Sequence, residues 1–469
     1  MEPAAPPATA RLRRALGLGD VTWFLVVAVV GLRWIATAAA VGPSALVIWL
    51  IGFVALFVPL AFTVVELSSR YPQEGGLYVW TQRAFGDYPG FLAGWMYWAS
   101  NFTYFPGVLY FGAASALFAF GAHGHALDAS VPYFVIASLG GLAVALALNV
   151  VGLNVGRHLH NAGALGTWLP VALLVGAGVV ACARFGSATE WTARSFAPGA
   201  HLQDLVLWST IAFAFGGLET ASFLSDEIRE PRRTIPRAIV LSGVLITAIY
   251  VLGTIAVLLA LPHREVSGLT GILQAIERAS SRVGASWITS VAAILVTVGS
   301  LGGVGVWLAS TGRITFVAGV DRFMPPAFAK LHPRWGTPHV ALLVQGAGAA
   351  VFTLWSQAGT GVRGAYDALV SMTVIAYFIP LVMMFAALIA LQREPAGPDV
   401  MRIPGGRPVA IVMGVLGIAT TGISMVLAAL PPAGDPHPVL AVGRVIGGTA
   451  LLIAIGSVMY ARRGGGARG

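Results

Sequence analysis

Between Leu205 and Ile239, in LVLWSTIAFAFGGLETASFLSDEIREPRRTIPRAI, an apolar run is interrupted by Gly216-Gly217 and, two residues on, by Glu219. A glycine pair weakens a helix, and an ionisable side chain is costly in hydrocarbon. Both are tolerated at membrane depth where the helix is broken and lines a cavity. The rest of the chain places this stretch at membrane depth. Of its 469 residues 57% are hydrophobic and 10% charged, with a mean hydropathy of +0.81. A soluble domain carries about 25% charged residues. The apolar runs are about 20 residues long, enough to cross a ~30 Å hydrocarbon core as helices. The chain reads as a multi-span membrane protein, and a soluble enzyme is excluded.

Twelve spans are predicted, at about 20–41, 44–68, 89–119, 131–153, 164–184, 203–226, 237–261, 284–317, 338–356, 366–391, 408–430 and 438–461. An even number puts both termini on one face. That face collects 20 of the 28 lysine and arginine residues, the opposite loops hold 7, and Arg33 lies inside a span. Positive residues favour the cytoplasmic side, so both termini are expected there, in a plasma membrane such as a bacterial inner membrane. Arginines in short inter-span loops account for the net charge of +9, and no nucleic-acid partner is implied. No cleavage-site pattern precedes the first span, so no removable signal is expected. Cys182 is the sole cysteine, which excludes an internal disulfide and a thiolate metal site. His123/His125 and His158/His160 lie in loops with no acids read beside them, so no metal is expected. Trp23, Trp80 and Trp168 read as interfacial anchors. No catalytic cluster, nucleotide loop or cofactor motif is present.

Span one carries an interruption like that of span six. Gly31-Leu32-Arg33 matches Gly217-Leu218-Glu219, each in the first span of a block of five. Span one starts on the face of the termini and span six on the opposite face, so the blocks are inverted. Paired interruptions of this kind point to an inverted-repeat transporter. Between spans two and three, Pro72 and Gly75-Gly76 end a helix, and Leu77 to Phe85 reads as a short amphipathic helix. Ile272, Ile276 and Ala279 at helical spacing predict a surface helix or lid within 262–282. Gly299, Gly302, Gly303 and Gly305 in span eight predict close helix approach rather than a phosphate loop, because no strand precedes them.

Two blocks, ELSSRYPQEGGLYVWTQRAFGDYPGFLAGWMYW from Glu66 and FAFGGLETASFLSDEIREPRRTIPRAI from Phe213, resemble the amino acid–polyamine–organocation (APC) superfamily of permeases. The resemblance covers nearly the whole chain. It implies an all-α membrane protein with a 5+5 inverted repeat of the LeuT-like/APC fold, plus two C-terminal helices. The expected parts are a tail at 1–19, a core at 20–391 with repeats 20–184 and 203–391, two helices within 408–461 and a tail at 462–469. It also implies alternating access and substrates such as amino acids or polyamines. One departure stands out. The family's amino-acid permeases usually have a Gly-Ser-Gly break in span one whose amides hold the substrate carboxylate, whereas Leu32, Arg33 and Trp34 follow Gly31 here. Span five also lacks the lysine that some proton-coupled members use, which leaves proton or sodium open as the coupling ion.

The candidate substrate-binding residues are therefore Gly31, Arg33, Trp34, Asn101, Tyr104, Phe213, Phe215, Gly216, Gly217 and Glu219. Arg33 suits a carboxylate through its planar fork, or an ion pair with an intramembrane acid. Glu219 suits an ammonium, a proton or Arg33 itself. The two are expected to face one water-lined chamber, paired when it is empty and parted by a zwitterion. Asn101 and Tyr104 are read as cavity lining or as a hydrogen-bonded pair. The expected function is secondary active transport of amino acids or small amines. A polyamine carrier and a ligand sensor built on a transport fold are the alternatives.

Overall fold

Hydrocarbon offers the backbone no hydrogen-bond partner, so each span has to close its own ladder as a helix. A computed structural model of the chain describes residues 16–464 apart from 73–74, 200–201, 321–323, 358–359, 399 and 432–436. Among the described residues it is helical throughout, with one isolated backbone bridge between Leu16 and Ile228. Eleven helices are long and apolar enough to cross a membrane, and a bent pair supplies the twelfth span. Span one is that pair, Leu18–Val29 and Leu32–Ala39, bent by 48°. Span six is Leu202–Phe213 followed, after four non-α residues, by the 3-10 segment Leu218–Glu227.

The other spans are Ser44–Arg70, Asp87–Phe120, Val131–Val151, Leu153–Phe185, Pro231–Ala260, Trp287–Val320, His339–Ser356, Val362–Leu391, Gly406–Ala428 and Pro438–Gly464. Ile136, Val240, Val244 and Val439 stand exposed on their outer surfaces, as lipid-facing side chains do. Trp23 is half exposed and packs edge-on to Trp168, in keeping with an interfacial position. Trp80 corrects the expectation: it is fully buried, because its short helix folds inward against the bundle.

The glycines of span eight do allow close approach. A Cβ on Gly299 would fall 2.8 Å from the Gly166 carbonyl carbon of span five. Both short helices occur as expected, at Leu77–Phe85 and Gly271–Arg282. The second buries Ile272, Ile276 and Ala279 and lies over the far half of span one, where a Cβ on Gly271 would sit 3.2 Å from the Ala36 methyl.

A polar clasp ties the first block to the end of span ten on the face of the termini. Arg70 bonds to Glu66 (2.8 Å) and to the carbonyls of Leu391 and Glu394 (3.0 Å each). Glu394 accepts from the Tyr71 hydroxyl (2.8 Å) and from Arg83 (3.0 Å). Glu66 also accepts from Gln392 and from the Ile403 amide. The Tyr71 hydroxyl, then Arg83, hold the Glu394 carboxyl below its usual pKa.

Candidate functional site

Each break leaves backbone groups without helical partners, and side chains from other spans meet several of them. At break one, Val30 and Gly31 are extended. The Ala28 carbonyl accepts from Trp307 Nε1 (3.3 Å) and the Val29 carbonyl from the Tyr250 hydroxyl (2.8 Å). At break six, Gly217 takes a φ of +121°, which a side chain would strain, and its N–H donates to Glu219 Oε2 (3.2 Å). The breaks touch: a Cβ on Gly217 would lie 3.1 Å from Val29 Cγ2. Gly31 has no side chain because the Trp34 indole folds over it, and Gly216 because the Tyr377 ring does.

Arg33 heads the far half of span one and is 4% exposed. Its guanidinium stacks over Trp34 (4.1 Å) and Tyr104 (5.0 Å). Among the described residues its Nη1 has no hydrogen-bond partner of normal geometry, and the buried hydroxyl of neighbouring Tyr366 interacts with the guanidinium without completing one. Gly107 leaves the room that Nη1 occupies, since a Cβ there would come within 3.2 Å of it. Arg33, Gly31, Tyr104, Thr167, Ser300 and Trp307 line a cavity of about 50 Å³ beside the break in span one. At roughly 10–15 Å³ per water that is room for a few waters, not for an amino acid.

Glu219 is fully buried and lies outside this cavity. Its Oε1 accepts from Tyr97 (2.7 Å, span three) and Tyr377 (2.5 Å, span ten). The expected pairing with Arg33 is therefore corrected: no ion pair joins them, and aromatic rings intervene. Tyr97 and Tyr377 contact Trp307, which contacts Tyr104 beneath the guanidinium. The reason is the inversion itself. Equivalent positions in two inverted repeats lie on opposite sides of the midplane, so Arg33 falls in the far half of its span and Glu219 in the near half. Tyr97 and Tyr104 mark the offset, seven residues of one span or about 10 Å at 1.5 Å per residue.

The remaining candidates divide. Trp34 and Phe213 meet edge to face (5.5 Å), and Phe213 packs on Tyr377 (5.1 Å), so both join the aromatic layer. Phe215 turns away into a core of Trp49, Phe57 and Tyr250. Asn101 bonds to the Tyr97 and Trp98 carbonyls of its own span, so it neither lines the cavity nor pairs with Tyr104. His125 does meet acids, Asp128 (3.2 Å) and Glu277 (4.0 Å), correcting the reading of an acid-free neighbourhood. No group of three metal-ligating side chains forms among the described residues, and the side chains of His158 and His160 lie outside them. Sequence reasoning missed Tyr97, Tyr250, Trp307, Tyr366 and Tyr377. Tyr97 sits in a quoted block; the others carry no local signal.

Two broken spans packed around a mid-depth cavity in a multi-span bundle are the architecture of a secondary transporter. The chain belongs to the amino acid permease family, whose model matches residues 16–451. It is 28% identical over 430 residues to an uncharacterised transporter of Legionella pneumophila, covering 90% of this chain and 91% of that one. It is 24% identical over 432 residues to the probable agmatine/putrescine antiporter AguD of Lactococcus lactis, covering 91% of each. It is 25% identical over 365 residues to the serine/threonine exchanger SteT of Bacillus subtilis, covering 75% of this chain and 76% of that one. The crystal structure of MhsT in complex with L-phenylalanine superposes with a TM-score of 0.60 at 14% identity, over 89% of this chain and 100% of that chain. That likeness shows the LeuT-like fold, and the family expected from the two motif blocks is the family found.

Proposed function

We propose that this chain moves amino acids or small amines by alternating access, with the substrate held where spans one and six break. The observation that carries the proposal is Arg33, a buried guanidinium that lines the cavity and whose Nη1 has no hydrogen-bond partner among the described residues. A buried unpaired donor costs about 1–3 kcal/mol, more when charged, and an arriving carboxylate would remove that cost. The contracted cavity corresponds to a closed state. In this reading the near side is shut by the Tyr97–Glu219–Tyr377 layer and the far side by the helix Gly271–Arg282. Glu219 then acts as a latch joining three spans, and protonating it or withdrawing its tyrosines would release the near half of span six. The repeats 20–184 and 203–391 would be the moving units, with both termini cytoplasmic and a proton or sodium as the coupling ion.

The likeness to AguD favours a second reading, a diamine carrier. The charge beside the cavity argues against it, because Arg33 repels a dication while Glu219 is occupied elsewhere. Uptake into proteoliposomes separates the two. The panel is the amino acids and the amines obtained by decarboxylating them. Carboxylates should be taken up and Arg33→Gln should abolish their uptake. Transport of the amines alone, unchanged in Arg33→Gln, would refute the site.

A further inference from the structure

On the face opposite the termini, span ten and the two C-terminal helices leave a notch lined by opposite charges. Asp367 of span ten and Arg444 of span twelve share a cavity of about 40 Å³ with Thr360, Ser371, Leu430 and Val445. This cavity has no lining residue in common with the one beside Arg33. Both charged side chains are partly buried, and neither forms a hydrogen bond or an ion pair with a described residue. Arg363, one turn back on span ten, is exposed and makes no ion pair with Asp367 either. An unpaired charge is costly away from water, so two that face one cavity without meeting point to a ligand that spans them.

Depth decides what can reach the notch. Span ten has 30 residues, or about 45 Å at 1.5 Å per residue, the thickness of a bilayer with its headgroups. Asp367 lies five residues beyond Val362 and Arg444 six beyond Pro438, the first residues of their spans. That is about 8–9 Å in, at the boundary between headgroups and hydrocarbon. Leu430 lies just past the end of span eleven. Deeper along the spans the helices touch: Gly448 leaves room for Met372, and a Cβ there would also fall 2.8 Å from the Trp355 ring. The notch is thus the outer end of a packed seam. Val439, Leu440 and Ile446, on the same turns of span twelve as Arg444, are exposed.

We propose that this notch binds the headgroup of a zwitterionic phospholipid with a primary ammonium, the chemistry of phosphatidylethanolamine. The ammonium has three N–H donors, and the Asp367 carboxylate with the Thr360 and Ser371 hydroxyls supplies acceptors for them. Arg444 takes the phosphate oxygens through its planar fork. The cavity has room for a few water-sized groups, which suits an aminoethyl head whose phosphate and chains stay outside. The chains lie in the bilayer along the exposed side of span twelve. The bound lipid joins span ten of the core to the two helices that follow it, whatever the chain transports.

Native mass spectrometry of the full chain in a non-ionic detergent tests this without transport. Phosphatidylethanolamine, phosphatidylcholine and phosphatidylglycerol with identical chains are titrated against the protein. The ethanolamine lipid should bind about fivefold tighter than either of the others, since choline has no N–H and glycerol no cation. Asp367→Asn and Arg444→Gln should each remove the preference, and Arg363→Gln should retain it. If those two variants do not fold, Ala441→Leu fills the cavity with both charges intact and should remove it too. Equal binding of all these lipids by the unmodified chain overturns the site. So does a preference that survives Asp367→Asn and Arg444→Gln, or Ala441→Leu where those cannot be made. Glycerophosphoethanolamine, the same head without chains, should not displace the lipid at equal concentration. Displacement would give the notch to a soluble zwitterion and overturn the lipid assignment.

Discussion

Arg33 and Glu219 occupy matching places in the two repeats, yet their surroundings differ in kind. Glu219 has three donors on its carboxylate, whereas Arg33 has two aromatic faces and an unsatisfied nitrogen. Glu219→Gln should keep an acceptor for the tyrosines but turn an amide N–H toward that of Gly217. One unsatisfied buried donor costs about 1–3 kcal/mol, and a lowered thermal midpoint in detergent checks it. Gly107→Ala should crowd Nη1 and weaken binding of a transported amino acid severalfold with little change in the midpoint. The charged residue of each break was legible in the sequence because an ionisable group in an apolar run stands out. Their separation followed from the inversion and could have been read from it. The tyrosines were not legible, since an aromatic residue in an apolar span looks the same whether it packs, gates or braces.

At the scale of the helix, the breaks persist because their backbone groups are met from outside the helix and because glycine fits where a side chain would not. Gly217→Ala would combine a φ of +121° with contact against Val29. Such strain costs about 1–3 kcal/mol, and thermal unfolding should show it. Gly166→Ala tests the seam between spans five and eight, where the new Cβ would fall 2.6 Å from the Gly299 Cα. The helices must part there, at a cost of about 1–3 kcal/mol for overpacking. Hydrophobic runs and glycine pairs made the spans, both short helices and the breaks readable in advance. The side of the bundle that Phe215 or Asn101 faces was not readable, because near-uniform apolarity erases the periodicity that marks a buried stripe.

At the scale of the whole molecule, the clasp around Glu394 joins the motif-bearing loop to span ten, and Glu394 itself lies beyond the last residue of that span. The folded chain depresses the Glu394 pKa. Its stabilisation is therefore full above the usual carboxylate value of about 4.5 and is lost as pH falls through the lower folded value. Thermal stability should drop as pH is lowered below the usual carboxylate value, and Glu394→Gln should remove that part of the pH dependence while lowering stability at neutral pH. The central claim joins all three scales: a substrate enters between two broken spans and satisfies Arg33. Its most direct test is a cryo-electron microscopy structure with a transported amino acid bound. The carboxylate should lie within hydrogen-bond distance of Arg33 Nη1, in a cavity enlarged from about 50 Å³. Density seated against Glu219 with Arg33 still unpartnered, or lodged away from both breaks, would contradict the account.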